Sequence, residues 1–361
     1  MAYGRCESVG EGAETVAVGA RAKTRATTIA DVARIANVVP STVSHALNGT
    51  APISEEVRER ILRIARELHY RPSAVARSLL SGRTMTVGML VADILDPHCP
   101  DIVGGVEAAL AGARHDLMLC SVAGSPDRMA AFLTSLASKC VDAVIVLTDG
   151  LSPEMLASVA ASPVPAVLVT SAADSADAAV DVTPDLMVGL RAACQHLREL
   201  GHRQVALMTN ALSGNITHEG IAIAAWEQSG GSRHDALIIP GNPRLDGGRV
   251  ALEAVLAARP RPTALIAVSD MAAIGVIQGA EEQGLRIPQF LSVIGIGDIV
   301  SASLVNPPLT TVALPRREIG VAAAQRALGL LAGETIQEGA ARGWLPTSLI
   351  IRRSTGIPPR M

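Results

Sequence analysis

Five short polar side chains, Ser41, Thr42, Ser44, His45 and Asn48, lie within eight residues, with Val43 and Leu47 between them. At helical spacing the two apolar residues turn inward and leave hydroxyl, imidazole and carboxamide groups on the open side. Short polar groups at the N-terminal end of a helix suit insertion into the major groove of duplex DNA, where they reach base edges and phosphates. Signatures of catalysis are missing. There is no Gly-x-Ser-x-Gly, Walker loop, His-Glu-x-x-His or Gly-x-Gly-x-x-Gly, and the eight histidines are scattered. An enzyme is therefore not expected, and neither catalytic residues nor a cofactor are assigned. The five cysteines, Cys6, Cys99, Cys120, Cys140 and Cys194, are odd in number and contain no Cys-x-x-Cys, so they suggest neither a metal site nor a disulfide framework. A reduced, cytoplasmic setting fits them.

The elements that would hold the polar stretch are legible around it. Thr28 can cap a first helix over 29–36, with Ile29, Val32 and Ala33 on its apolar face. Asn37 falls at a turn where a left-handed backbone favours Gly and then Asn. Val38 points inward, and Pro40 or Ser41 opens a second helix reaching 48. Ser54, followed by Glu55 and Glu56, marks the start of a third helix over 55–69. Its inward face is Val57, Ile61, Ile64, Ala65 and Leu68, and it stops at Tyr70-Arg71-Pro72. Charge supports the reading. Residues 23–84 carry ten Lys and Arg against five acids, in a chain whose formal net charge is −3. A basic head on an acidic body meets phosphate with one end only.

From Met85 the texture changes. Short apolar runs at 87–91, 118–122, 143–147, 166–169, 205–208, 237–239, 265–268 and 293–296 alternate with helical patterns at 103–114, 186–200, 247–258, 271–283 and 318–332. Repeated β-α-β texture implies parallel sheets with helices on both faces. About 270 residues of it imply two doubly wound lobes, with a pocket outside the carboxyl ends of the strands. Aromatic residues are only 2% of the chain, so the core must be built from Ala, Val, Leu and Ile. No apolar run approaches the roughly 20 residues of a membrane span. The first 26 residues lack the apolar stretch of a signal peptide, so export is not expected. They read as a disordered tail or as a start codon placed too early.

The motifs TIADVARIANVVPSTVSHALNG, ISEEVRERILRIARELHYRPSAVARSL and SGRTMTVGMLV resemble the LacI/GalR family of bacterial transcriptional regulators. HLRELGHRQVALM, PTALIAVSDMAAIG, GLRIPQFLSVIGIGD and PPLTTVALPRREIG extend the likeness through the rest of the chain. The resemblance implies an all-α helix-turn-helix head over 27–72, a hinge helix and linker over 73–84, and a periplasmic-binding-protein-like two-lobed α/β domain over 85–357 with parallel doubly wound sheets. Lobe one would be about 85–182 and 310–335, and lobe two about 183–308 and 343–357. The chain would cross between them near 182–184, 299–311 and 333–345. It further implies a homodimer, or a tetramer, on near-palindromic double-stranded operator DNA. The DNA-contacting set would be Thr28, Ser41, Thr42, Ser44, His45, Asn48, Tyr70, Arg71, Ser73, Arg77 and Leu79. Leu79 would wedge into the minor groove. His45 stands where members commonly have Arg, and Val39 where they have Ser, which shifts the expected operator preference.

The cleft departs further from the family pattern. Gly297 replaces an Asp that usually accepts ligand hydroxyls, Pro243 stands where an aromatic is common, and Asp96-Pro-His98-Cys99 replaces Asn-Pro-Phe-Phe. His218 or Thr217 stands where Arg is usual. The candidate effector set is Asp93, Asp96, His98, His218, Asp270 and Asp298. Three readings stay open: an effector poorer in hydroxyls, a sugar held by this rearranged set, or no small effector. The expected role is an effector-controlled repressor, cytoplasmic and nucleoid-associated. The alternative is a solute-binding or transport-type protein using the two lobes, which would need a signal peptide and no head.

Overall fold

The computed structural model describes residues 27–49, 51–70, 82–122, 125–137, 140–147, 153–162, 164–169, 180–210, 216–334 and 343–359. The expected tail and the expected hinge helix, with Arg71, Ser73, Arg77 and Leu79, lie outside the described residues. The chain divides into two compact units, Met1–Leu80 and Ser81–Met361.

The head has three helices. α1 (Ile29–Ala36) starts with a reciprocal capping box. Asp31 N donates to Thr28 Oγ1 at 3.4 Å, while Thr28 N donates to Asp31 Oδ2 at 2.9 Å. Asn37 ends the helix in the left-handed region at φ 52°. α2 (Pro40–Asn48) opens on Pro40, whose missing N–H needs no partner there. α3 (Glu55–Glu67) follows Ser54, whose side chain makes no capping bond, in contrast to the expectation. Glu55 and Glu56 in the first turn offset the positive end of the helix. Val32, Ala33, Ala36, Val43, Ala46, Ile61, Ile64 and Ala65 form the core, with Ile29, Val38, Leu47, Val57, Leu68 and Tyr70 packed around them.

The body begins with β1 (Thr86–Val91), α4 (Cys99–Gly112), β2 (Asp116–Ser121), α5 (Pro126–Ala137), β3 (Ala143–Leu147), α6 (Pro153–Ala160), β4 (Ala166–Val169) and β5 (Val180–Asp185). Next come α7 (Leu186–Leu200), β6 (Val205–Asn210), α8 (Ile216–Gln228), β7 (Ala236–Gly241), α9 (Leu245–Ala257), β8 (Ala264–Ile266) and α10 (Asp270–Glu282). It closes with β9 (Ser292–Gly297), α11 (Val300–Leu304), β10 (Thr310–Ala313), α12 (Arg316–Leu331), β11 (Gly343–Pro346) and β12 (Ser348–Ile350). One six-stranded sheet has the order β11-β5-β4-β3-β1-β2, and the other β12-β10-β9-β8-β6-β7. All neighbours are parallel except β10 and β12.

Each sheet is covered on both faces. In the first lobe Val87, Met89 and Val91 face α4 and α12, while Leu90 faces the cluster that holds Met129, Phe132 and Val159. In the second, Leu265 and Val293 face α9 and α10, while Ile266 and Ile294 face α7 and α8.

The crossings differ from the expected ones. The chain passes to the second lobe after Asp185, returns between Ala313 and Arg316, and passes again at Thr347. Residues 310–313 therefore belong to the second sheet and residues 343–346 to the first, the reverse of the sequence reading. β10 is half threonine, and Thr310 and Thr311 are fully buried between β9 and β12. β11 is only four residues long. Neither offers an apolar run.

Two glycine pairs bring helix backbones together. A Cβ on Gly105 of α4 would collide with the Arg317 carbonyl, and one on Gly320 of α12 with the Ile102 carbonyl. Gly248 of α9 and Gly275 of α10 meet Ala272 and Leu245 carbonyls in the same way.

The C-terminal strap is held by His202, which is 1% exposed. Its Nδ1 lies 2.8 Å from Thr263 Oγ1 and its Nε2 2.9 Å from the Gly356 carbonyl. Burial pushes the imidazole below its ordinary value, against the hydrogen bond to Gly356. The unfolded chain thus takes up this proton first as pH falls. Stability is full above about pH 6.5 and declines below it. Urea denaturation at several pH values should show that decline, and His202→Asn should flatten it. An unchanged slope in the variant contradicts this assignment.

Candidate nucleic-acid interface and cleft

The α1–α2 turn positions the first candidate surface. Asn37 in the left-handed region lets Val38 N reach the Ala33 carbonyl at 3.0 Å, which turns the chain sharply enough for α2 to pack across α1. Val43 and Ala46 go inward at 0% and 2% exposure. Ser41 and His45 are left exposed, and Thr42 and Ser44 half-buried. Asn48 is the last residue of α2, but its side chain lies outside the described residues. Thr28 is exposed and used in the α1 cap. Tyr70 packs on the head core, with its N donating to the Ala65 carbonyl at 2.8 Å. The surface is thus one polar helix face, backed by a dry core of small residues.

Val39 adds something the sequence reading treated only as a departure. It is the N-cap of α2, its side chain makes no capping bond, and it is 60% exposed. An apolar group there can touch a thymine methyl.

The cleft residues separate into three groups. Asp93 and Asp96 build the exposed loop after β1. Asp93 Oδ1 accepts from Leu95 N and Asp96 Oδ1 from His98 N, each at 2.9 Å. Asp270 and Asp298 are held within the second lobe. Asp270 is fully buried and accepts from Thr311 Oγ1 at 2.5 Å and Ile299 N at 2.8 Å. Burial pushes its carboxyl above the ordinary value, against those two hydrogen bonds and the nearby His98. Asp298 Oδ1 pairs with Arg352 Nη2 at 2.6 Å. His98 forms the third group. It belongs to the first lobe, yet its ring lies where a Cβ on Gly297 of the second lobe would stand. Its Nδ1 is buried with no hydrogen-bond partner. The side chain of His218, in α8, lies outside the described residues.

Sequence reasoning missed Arg316. From the first turn of α12 its Nε donates to Asp101 at 2.9 Å, its Nη1 to the Gly297 carbonyl and its Nη2 to the Asp298 carbonyl at 2.9 Å. The signal available was an arginine just past a chain crossing.

Among the described residues, no group of three or more His, Cys, Asp and Glu could hold a metal, and no helix is long and apolar enough to cross a membrane.

A helix-turn-helix head with an exposed polar helix, followed by two α/β lobes, is the architecture of a DNA-binding transcriptional regulator. Comparison with known proteins agrees. The profile of bacterial regulatory proteins of the lacI family matches residues 28–73, and that of a periplasmic binding protein-like domain matches 194–355. Catabolite control protein A of Priestia megaterium is 32% identical over 332 residues, 91% of this chain and 99% of that protein. The ribose operon repressor of Escherichia coli K12 is 33% identical over 315 residues, 86% of this chain and 95% of that one. The Lac repressor dimer bound to operator and the anti-inducer ONPF superposes with a TM-score of 0.77 at 25% identity, over 92% of this chain and all of that one. The chain belongs to the LacI family of bacterial regulatory proteins.

Val39→Ser should supply the missing α2 cap and raise the stability of the head by about 1 kcal/mol. Denaturant unfolding of the full chain, followed by a probe in the head, measures it. A loss of stability would show that the Val39 side chain contributes more by packing than Ser does by capping.

Proposed function

We propose that this protein is an effector-controlled repressor that binds a near-palindromic double-stranded operator as a homodimer in the cytoplasm, at the nucleoid. The observation that carries the reading is the polar face of α2, with Ser41 and His45 exposed and Val43 and Ala46 locking the opposite face into the head. The names of its relatives support it. The likeness to the ribose operon repressor spans 95% of that protein, and the likeness to the operator-bound Lac repressor dimer spans the whole of that chain. The solute-binding alternative has no use for a folded helix-turn-helix unit.

His45 sets the base preference. A neutral imidazole offers one donor and one acceptor, whereas Arg binds guanine with two parallel bonds. Selection from random duplex DNA should return an inverted repeat whose affinity falls steeply with salt as counterions are released. His45→Ala should then change preference at one or two symmetric base pairs, by about 1–3 kcal/mol per half-site. A loss equal across all sequences would place His45 on the phosphate backbone. No inverted repeat at low salt would remove the repressor reading.

The effector we favour is poorer in hydroxyls than a sugar. Asp270 and Asp298, the two second-lobe carboxylates of the candidate set, already accept hydrogen bonds from Thr311, Ile299 and Arg352. A ligand at a hundred times its Kd stabilises by about 2.7 kcal/mol, a shift of several degrees in a domain this size. Thermal-shift screening should show such shifts for nucleobases or carboxylic acids and none for pentoses and hexoses. A sugar that gives the shift would restore the rearranged-set reading.

A further inference from the structure

Arg316 joins the two lobes through its own guanidinium. Its helix, α12, is packed on α4 through Gly105 and Gly320, where neither residue leaves room for a side chain on the other backbone. That packing sets Arg316 beside Asp101, in the first turn of α4, and the two side chains meet at 2.8 Å. The same guanidinium reaches the end of β9 in the other lobe. Gly297 at φ 138° and Asp298 at φ 56° are successive positive-φ residues that bend the chain out of the sheet. Both of their carbonyls accept from Arg316. Asp298 is itself tied back into the second lobe by Arg352, which also donates to the Leu309 carbonyl at 2.8 Å. The bend is therefore a stiff acceptor.

This differs from a surface ion pair. The Arg316 side chain is 10% exposed, and its planar fork meets one carboxylate and two carbonyls at once. Beside it, His98 crosses the same gap. Its ring occupies the space that the missing Gly297 side chain leaves, and it sits close enough to Asp270 to favour that carboxylate. The contacts that cross the gap run from the first-lobe side chains Arg316 and His98 to the β9 end of the second lobe.

We propose that Arg316 is a built-in latch across the cleft, which holds the lobes together before any effector arrives, with His98 filling the gap beside it. An effector then acts on a balance the chain has already set. It must bind the latched and unlatched arrangements with different affinity, because a ligand shifts two states only by that difference. The regulatory part of this proposal rests on the repressor reading, and the latch itself does not.

The test is a distance measurement on the full-length chain without DNA or added metabolite. Spectroscopic labels would be placed by non-cysteine chemistry at Glu107 and Glu253, exposed residues of α4 and α9 in different lobes, and the labelled chain diluted with unlabelled chain. The unsubstituted chain should give one narrow distance. Arg316→Gln, which loses the charge and most of the fork, should add a second, separated population, with the closed-to-open ratio falling about tenfold or more. Arg316→Lys should fall in between, since an ammonium keeps the charge but cannot span all three acceptors. Asp101→Asn should shift the ratio less than Arg316→Gln, because the two carbonyls remain. If Arg316→Gln gives the unsubstituted distribution while its urea unfolding shows an intact fold, the latch is wrong. If it lowers stability without moving the distance, Arg316 serves only the first lobe, and the latch is again wrong. Operator affinity provides the separate regulatory arm. If the lobes separate but affinity for the selected operator is unchanged, the latch does not regulate. A chain that selects no operator removes the repressor reading and leaves the distance result standing.

Discussion

The closest approach between helix backbones is the constraint on which the body depends. Each lobe has one helix pair that crosses at glycines, Gly105 with Gly320 and Gly248 with Gly275, where any side chain would strike a carbonyl of the other helix. In a chain with 2% aromatic residues, large rings fill little of the cores beyond Trp226 in the second lobe and Phe132 in the first. Small residues and near-contact of backbones replace them, and dispersion between closely spaced main chains takes over the packing. The consequence reaches past the core. These crossings fix the first turns of α4 and α12 against one another in the first lobe, and those of α9 and α10 in the second. The cleft residues Asp101, Arg316 and Asp270 all lie in such first turns.

The head uses the same economy of size at smaller scale. Its core has no fully buried residue larger than Ile61, and half of its buried set is alanine. Helices so close leave little tolerance in the turn between them, which is why a left-handed residue stands at position 37. The polar face of α2 is then a by-product of packing. Val43 and Ala46 have turned inward, and the exposed residues at its start and along its face include Val39, Pro40, Ser41 and His45.

In the cleft, Asp93, Asp96, Asp270 and Asp298 of the candidate set already have partners within the chain. Asp93 and Asp96 shape a turn, Asp298 anchors the strap through Arg352, and Asp270 ties α10 to β10 and to the start of α11. A buried carboxylate at a helix N-terminus is stabilised by the helix dipole and by its donors, so Asp270 can be kept for geometry alone. What distinguishes the cleft is a cross-lobe set of cation, imidazole and strand-end carbonyls.

Much of this was legible along the chain because it depends on neighbours within a turn or two. Thr28 with Asp31, Asn37, Pro40 and the periods of Val32, Val43 and Ile61 specify the head locally, and the alternation of apolar runs with amphipathic stretches specifies parallel α/β lobes. Position 98 was noted for its histidine, but its neighbour across the gap was not visible. Only the folded molecule decided that β10 and β11 belong to the lobes they do, that Thr311 is the partner of Asp270, and that Arg316 reaches Gly297. The physical reason is separation. Thr311 and Asp270 are 41 residues apart, and Arg316 and Asp101 are 215 apart. A hydrogen bond has no signature in the sequence between its ends, because it depends on where three chain crossings bring two strands and two helices into register.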